Sequence, residues 1–126
     1  MKKLALILAF AASVFGAEWL ENYGEALEKA RDQKKLVLVV VMRQSCPYCR
    51  MLIDETLPNK AINDKIESEF IPLLLDTEEN PKQVAASRLT SSAVPATFIL
   101  NAYGETKATL IGYRPPMEFM RFLQND

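Results

Sequence analysis

The sequence predicts one α/β domain, a three-layer sandwich in which a mixed sheet of about four strands lies between helices. Two observations predict this fold class. The run Leu36–Met42 is apolar without alternation, which is typical of a central strand buried on both faces. Helical and strand patterns alternate as far as Arg88, and two further strand patterns are then joined by a turn. The predicted order is helix, strand, helix, strand, helix, strand, strand, helix.

The first elements follow from apolar spacing and from helix-capping residues. A helix is predicted over Glu18–Gln33 from apolar residues at helical spacing. These residues are Trp19, Leu20, Tyr23, Leu27 and Ala30. After the central strand, Pro47 suits the first turn of a helix that continues to Thr56, and Pro58 interrupts it. Asn59 is then the expected cap of a helix over about 60–69.

The second half of the chain is predicted to contain three strands and two helices. Strands are predicted at Ile71–Asp76, Val94–Leu100 and Lys107–Gly112, the last two forming an antiparallel hairpin. A short helix is predicted from Pro81 to about Arg88, and the last helix begins at Pro115-Pro116. One face of this last helix is expected to carry Met117, Met120 and Leu123, with Phe119 near them.

Charge and composition exclude several classes of function. The 126 residues contain 15 basic and 16 acidic side chains, so neither a nucleic-acid footprint nor a polybasic membrane patch is visible. No nucleic-acid partner is therefore predicted. The sequence contains no histidine, which excludes mechanisms that depend on imidazole. We expect a monomer without a metal or other cofactor. Any reaction would use sulfur or carboxylate groups.

The first 17 residues are predicted to be a signal peptide, and residues 18–126 the folded domain. Lys2 and Lys3 precede the apolar run Leu4–Phe15, and Gly16 and Ala17 are small residues suited to cleavage. The run is too short to span a membrane comfortably, although an uncleaved anchor or a buried first helix remains an alternative. A basic start and a short apolar core suit a bacterial periplasmic protein, in a compartment that permits disulfide chemistry.

The only two cysteines, Cys46 and Cys49, form the motif Cys-Pro-Tyr-Cys directly after the predicted central strand. Two intervening residues let both sulfurs lie in the first turn of a helix, whose N–H groups can stabilise a thiolate. A static disulfide around so small a loop would remove little entropy from the unfolded chain, and zinc normally takes four ligands. The spacing therefore predicts a reversible redox pair. Arg43 and Arg50 are candidate cations for stabilising the Cys46 thiolate, or else solvated surface side chains.

With these motifs the sequence resembles the thioredoxin superfamily over everything after the leader. The carrying residues are the cysteine motif after a hydrophobic strand, Val94-Pro95 before the hairpin, and Gly104 and Gly112. The resemblance, which is strongest to secreted thioredoxin-like proteins, implies a thiol-disulfide oxidoreductase.

The resemblance also implies roles for single residues. Cys46 would be the attacking cysteine and Cys49 the buried resolving one. Pro95 would be a cis-proline whose loop, with Val94, pairs with substrate backbone. Tyr48 would face the substrate or lie on the helix surface.

Three positions depart from the pattern of the family. Thioredoxins usually carry a buried acid six residues before the first cysteine, where this chain has Val40. Ser45 stands where a tryptophan is usual, and Pro47-Tyr48 is the dipeptide of glutaredoxins. A simple thioredoxin or glutaredoxin assignment therefore does not follow.

The expected function is exchange of disulfides with protein thiol or disulfide substrates in the reductase or isomerase direction. A membrane electron donor or acceptor is the expected redox partner. A disulfide-forming oxidase is one alternative. A non-enzymatic module that holds an extended peptide beside the motif is the other.

Overall fold

The computed structural model describes residues 16–124, so most of the predicted signal peptide lies outside the described residues. The helices are α1 (Tyr23–Gln33), α2 (Pro47–Met51), α3 (Lys60–Glu69), α4 (Pro81–Ser87) and α5 (Pro116–Gln124). The strands are β1 (Leu36–Met42), β2 (Phe70–Asp76), β3 (Ala96–Leu100) and β4 (Thr106–Ile111). Their order along the chain confirms the predicted one. Within 16–124, no helix is both long and apolar enough to cross a membrane.

The four strands form one mixed sheet in the order β2-β1-β3-β4, which confirms the predicted fold class. Strand β1 runs parallel to β2 and antiparallel to β3, and β3 pairs antiparallel with β4. All of β1 after Leu36 is buried, as its unbroken apolar run predicts. Its side chains alternate between two apolar clusters, one that includes residues of α2, α3 and α5 and one that includes residues of α1. The three layers are thus helices, sheet and helices.

The first helix begins five residues later than predicted, at Tyr23 rather than Glu18. Leu20 instead forms a β-bridge beside β2: its N–H donates to Pro72 O and its carbonyl accepts from Leu74 N, both at 2.9 Å. Trp19 and Leu20 pack against opposite apolar clusters, which is the alternation of an extended segment. The predicted helical stripe was therefore wrong at these two positions, because the outer edge of β2 offers hydrogen bonds to the backbone of Leu20.

The helix after the cysteines changes geometry before it ends. Residues Leu52–Thr56 form a π-helical turn, which Leu57 N closes by donating to Leu52 O at 2.9 Å. The Thr56 hydroxyl donates to Arg114 O at 2.7 Å and so joins this turn to the segment before α5. The break at Pro58 and the cap at Asn59 are confirmed, since Asn59 Oδ1 accepts from the backbone of α3. Nothing in the sequence indicated the π turn.

The last helix buries the predicted face except at one position. Phe119 and Leu123, four residues apart, are completely buried, whereas Met117 is 76% exposed. Met120 is half-buried against the same cluster. The prediction was wrong for Met117, because the spacing of the aromatic ring and Leu123 decides which side of α5 meets the sheet.

Gly104 generates a stability prediction, because its φ is +88° and a Cβ atom there would lie 2.5 Å from Tyr23 Oη. We expect Gly104→Ala to lower the free energy of unfolding by about 1–2 kcal/mol in urea denaturation. Gly24→Ala is the matched control: its Cβ would meet only Asn22 Oδ1, at 3.5 Å, within α1. That change should be neutral or stabilising by about 0.5 kcal/mol. Equal stability of the two variants would contradict the prediction.

Candidate active site

The chain places Cys46 at the start of a helix because β1 ends four residues before it. Cys46 is the N-cap of α2, with extended backbone at φ −94° and ψ 114°. Its Sγ accepts a hydrogen bond from Cys49 N at 3.2 Å. The sulfur thus takes the place of the side-chain oxygen that usually accepts this bond in an N-cap residue. Pro47 stands in the first turn, where its missing N–H costs nothing. A helix end and one amide thus point at the sulfur, which favours negative charge there.

The two sulfurs differ in depth. Both cysteines are free thiols; Cys46 is 5% exposed, whereas Cys49 is completely buried in the apolar cluster. Burial, with a smaller contribution from the hydrogen bond to Cys46, raises the pKa of the Cys49 thiol to about 12. The backbone and the positive charge of Arg43 act in the opposite direction. An attacking Cys46 and a protected Cys49 are consistent with this difference in depth.

The loop before β3 lies against the cysteine pair. The Val94–Pro95 peptide bond is cis, as the resemblance implied. The Cys46 thiol donates to Val94 O across 3.7 Å, so Val94 borders the Cys46 sulfur. Pro95 is buried, and its carbonyl accepts from Gly112 N at 2.7 Å, which fixes the loop to the end of β4. The structure therefore brings Cys46, Val94 and Pro95 together, although they lie almost 50 residues apart.

The other three candidate site residues lie on the surface around the motif. Tyr48 is 62% exposed, which is compatible with both interpretations of its ring. Arg43 is exposed and its charge acts on Cys49. Arg50 directs its guanidinium toward Gln44 Oε1 at 3.5 Å and Asp54 Oδ2 at 3.9 Å. Stabilisation of the Cys46 thiolate by the two arginines stays a prediction. For Arg50, the oxygens of Gln44 and Asp54 compete with the thiolate for the guanidinium.

A carboxylate that the sequence analysis did not single out anchors the loop before Cys46. Asp76, at the end of β2, is 6% exposed and accepts from Glu78 N, Glu79 N and Gln44 Nε2 at 2.8, 3.1 and 3.1 Å. Burial alone would raise the pKa of this carboxyl, but these three donors together lower it below its usual value. A strand ending in aspartate before an acidic turn was the available sequence signal, since such a side chain often accepts from the backbone that follows.

Comparisons with known proteins agree with this geometry. Residues 23–125 match the family model described as a thioredoxin-like domain. A solution structure of a thioredoxin from Thermus thermophilus is similar with a TM-score of 0.71 and 23% identity, covering 86% of this chain and 85% of that one. A DsbH oxidoreductase structure has a TM-score of 0.67 and 17% identity, covering 85% of this chain and 83% of that one. At these identities, the two likenesses show the fold.

A likeness to a curated protein covers a shorter stretch. Spermatogenesis-associated protein 20 of Homo sapiens is 30% identical over 64 residues, which are 51% of this chain. The match covers only 8% of the length of that relative.

The depth of Cys49 predicts a selective chemical modification. At about pH 8, iodoacetamide should modify Cys46 and leave Cys49 free in the folded protein, because a buried thiol with a pKa of about 12 forms little thiolate. Mass spectrometry of the digested protein reads out both sites, and the same reaction in urea should modify both. In the Cys46→Ser variant, Cys49 should stay unmodified until the protein unfolds. Rapid labelling of Cys49 in either folded protein would disprove its protection.

Proposed function

The chain belongs to the thioredoxin-like domain family, and on that basis we propose that it is a thiol-disulfide oxidoreductase acting on protein substrates. The observation that carries this proposal is the grouping of Cys46 at a helix start, Cys49 buried behind it, and Val94 O 3.7 Å from the Cys46 sulfur. A static disulfide pair would require none of these features around it. The exposed ring of Tyr48 and the half-buried Val94 flank the sulfur that substrates would reach.

The proposed chemistry has two exchange steps. The Cys46 thiolate attacks one sulfur of a substrate disulfide, and the other substrate sulfur leaves as a thiolate and takes up a proton. Cys49 then loses its proton and attacks Cys46 Sγ, which releases the second substrate sulfur and leaves a Cys46–Cys49 disulfide. A redox partner returns two electrons and two protons to the pair. Oxidation of a substrate dithiol follows the same path in reverse.

The N-cap geometry supports the first step. In the thiolate form, Cys46 Sγ retains the hydrogen bond that it accepts from Cys49 N at 3.2 Å. The aligned amides of α2 place partial positive charge at the same point. The bond to Val94 O acts on the protonated thiol instead, since a carbonyl accepts only from S–H. A substrate N–H that pairs with this carbonyl would take the place of the thiol proton there.

Two cysteine variants separate the steps. We expect Cys46→Ser to abolish reduction of insulin disulfides, because the attacking sulfur is gone. Cys49→Ser should accumulate mixed disulfides with substrate, because only the resolving step is removed. Non-reducing gels read out the trapped species, and the double variant, which should trap nothing, is the control. Normal turnover by the Cys46→Ser protein would refute the proposed chemistry.

We further infer a periplasmic location and a reductase or isomerase direction, with a membrane electron donor as redox partner. The signal-peptide pattern of residues 1–17 supports the location. The longest link between elements of the described fold, residues 88–95, is too short for an inserted substrate-binding domain such as an oxidase uses to hold unfolded chains. A membrane donor fits because the pair needs two electrons for each substrate that it reduces.

Direction and compartment can be tested together. We expect thiol trapping of the periplasmic fraction to find the pair reduced, with a potential, measured against glutathione, of about −270 mV, the value of thioredoxin. A pair trapped as a disulfide, with a potential of about −120 mV, would instead assign the oxidase direction. Recovery of the protein only from the cytoplasmic fraction would contradict the location.

A further inference from the structure

The residues just before the β-bridge at Leu20 are part of the folded domain. Ala17 is half-buried and packs against the same apolar cluster as Trp19. Its backbone N–H donates to Asn63 Oδ1 of α3 at 3.0 Å, across 46 positions of the sequence. Terminal residues of a domain stay ordered only where such contacts tie them down. Ala17 therefore belongs to the domain, although the sequence pattern places it within the predicted signal peptide.

The side chain of Asn63 is oriented by two partners. Its Oδ1 accepts from Ala17 N, and its Nδ2 donates to Glu67 Oε1 at 3.3 Å, one turn further along α3. The opposite orientation of the amide would set N–H against N–H and oxygen against a carboxylate. The Glu67 carboxylate polarises this amide, so its oxygen presents negative charge to Ala17 N. Such an acceptor binds a cation more strongly than it binds a neutral N–H.

The space around Ala17 N can accommodate an α-ammonium group. An ammonium has three N–H bonds, whereas the amide within a chain has one. Gly16, Ala17 and Glu67 line one surface recess of about 220 Å³. A recess of this size admits several waters, which can accept from the additional protons. Lys29 and Lys35 line it as well, and Lys35 Nζ donates to the backbone oxygen of Glu67 at 2.9 Å.

The sequence before Ala17 fits removal of a leader at the same point. A cut after Gly16 puts glycine at the last position of the leader and Val14 at the third from its end. A cut after Ala17 would put Phe15 at that third position, where small side chains are favoured. The pattern of the leader and the contacts of Ala17 thus indicate one peptide bond, Gly16–Ala17.

We propose that Ala17 is the first residue of the exported protein, and that its α-ammonium group is bound by Asn63 with Glu67 behind it. This inference rests on the proposed location. A leader peptidase hydrolyses the Gly16–Ala17 bond: water gives its hydroxyl to the Gly16 carbonyl carbon, and the Ala17 nitrogen leaves as an amine and takes up a proton. The new cation replaces the amide that donates to Asn63 Oδ1. Cleavage therefore strengthens the contact that holds the start of the domain against α3.

The first test determines the N-terminus of the exported protein. The full precursor is expressed in a Gram-negative host, purified from the periplasmic fraction and analysed by intact mass spectrometry and N-terminal sequencing. We expect a chain that begins at Ala17. The Gly16→Ala precursor should give the same mature mass, because the changed residue leaves with the leader. A mature chain that begins at another residue would overturn this inference and leave the location intact, whereas an uncleaved chain would overturn both.

The second test measures the contact of the new α-ammonium group by thermal unfolding. We expect Asn63→Ala to lower the melting temperature of the mature protein by about 4 °C, the shift for roughly one hydrogen bond in a domain of this size. Glu67→Gln keeps an acceptor for Asn63 Nδ2 but removes the charge, so it should lower the melting temperature by a smaller amount. Asp64→Ala is the control on the same helix. Its side chain forms an exposed pair with Lys60, so the melting temperature should change little.

A chain without Ala17 separates this contact from other roles of Asn63 and Glu67. Deletion of Ala17 from the precursor leaves a mature protein that begins at Glu18. In that protein, Asn63→Ala and Glu67→Gln should each lower the melting temperature less than they do when Ala17 is present. Equal losses in the two proteins would overturn the assigned contact, and so would an unchanged melting temperature in Asn63→Ala. Neither result would affect the proposed exchange chemistry, which the cysteine variants test separately.

Discussion

The site depends above all on the burial of β1 between two neighbouring strands and two layers of helices. Pairing with β2 on one edge and β3 on the other fixes its register along its length. Its last residue, Met42, is therefore held in place, and the chain has only a short loop before Cys46. The same pairing with β3 sets the position of the Val94–Pro95 loop, which leads into that strand. A reactive sulfur and its facing loop are thus positioned by one strand that contains no catalytic group.

Depth distinguishes two identical side chains, and the proposed chemistry assigns them different steps. Within three residues the chain passes from a cysteine that is 5% exposed to one that is completely buried. Burial disfavours the charged form of Cys49, so this thiol stays protonated until a disulfide forms beside it. The Cys46 sulfur, by contrast, lies at the start of α2, where the Cys49 amide donates a hydrogen bond to it. No difference in residue type is needed, because the fold supplies the difference in environment.

The sequence predicts an element correctly where the local preference of its residues agrees with the overall fold. Three features could be predicted because each follows from a short-range preference. They are the unbroken apolar run of β1, the proline at the start of α2 and the cap at Asn59. Trp19 and Leu20 were misassigned because their apolar side chains fit a helical stripe, while the free edge of β2 decided their conformation. The contact between Cys46 and Val94 O was expected only through the family resemblance, since residues so far apart meet by topology alone.

The same limit explains why the polar surroundings of the pair escaped sequence reasoning. Asp76 and Thr97 are ordinary strand residues in the sequence, and only the register of β2 and β3 against β1 shows that they stand opposite Met42 and Val40. Val40 was recognised as a missing acid, but its neighbour across the strands could not be identified without that register. A base beside Cys49 would alter the barrier to resolution, whereas the redox potential reflects the relative stability of the dithiol and the disulfide. The loss of a carboxylate at Val40 should therefore affect the rate of exchange, leaving the direction of the reaction to the environment of Cys46.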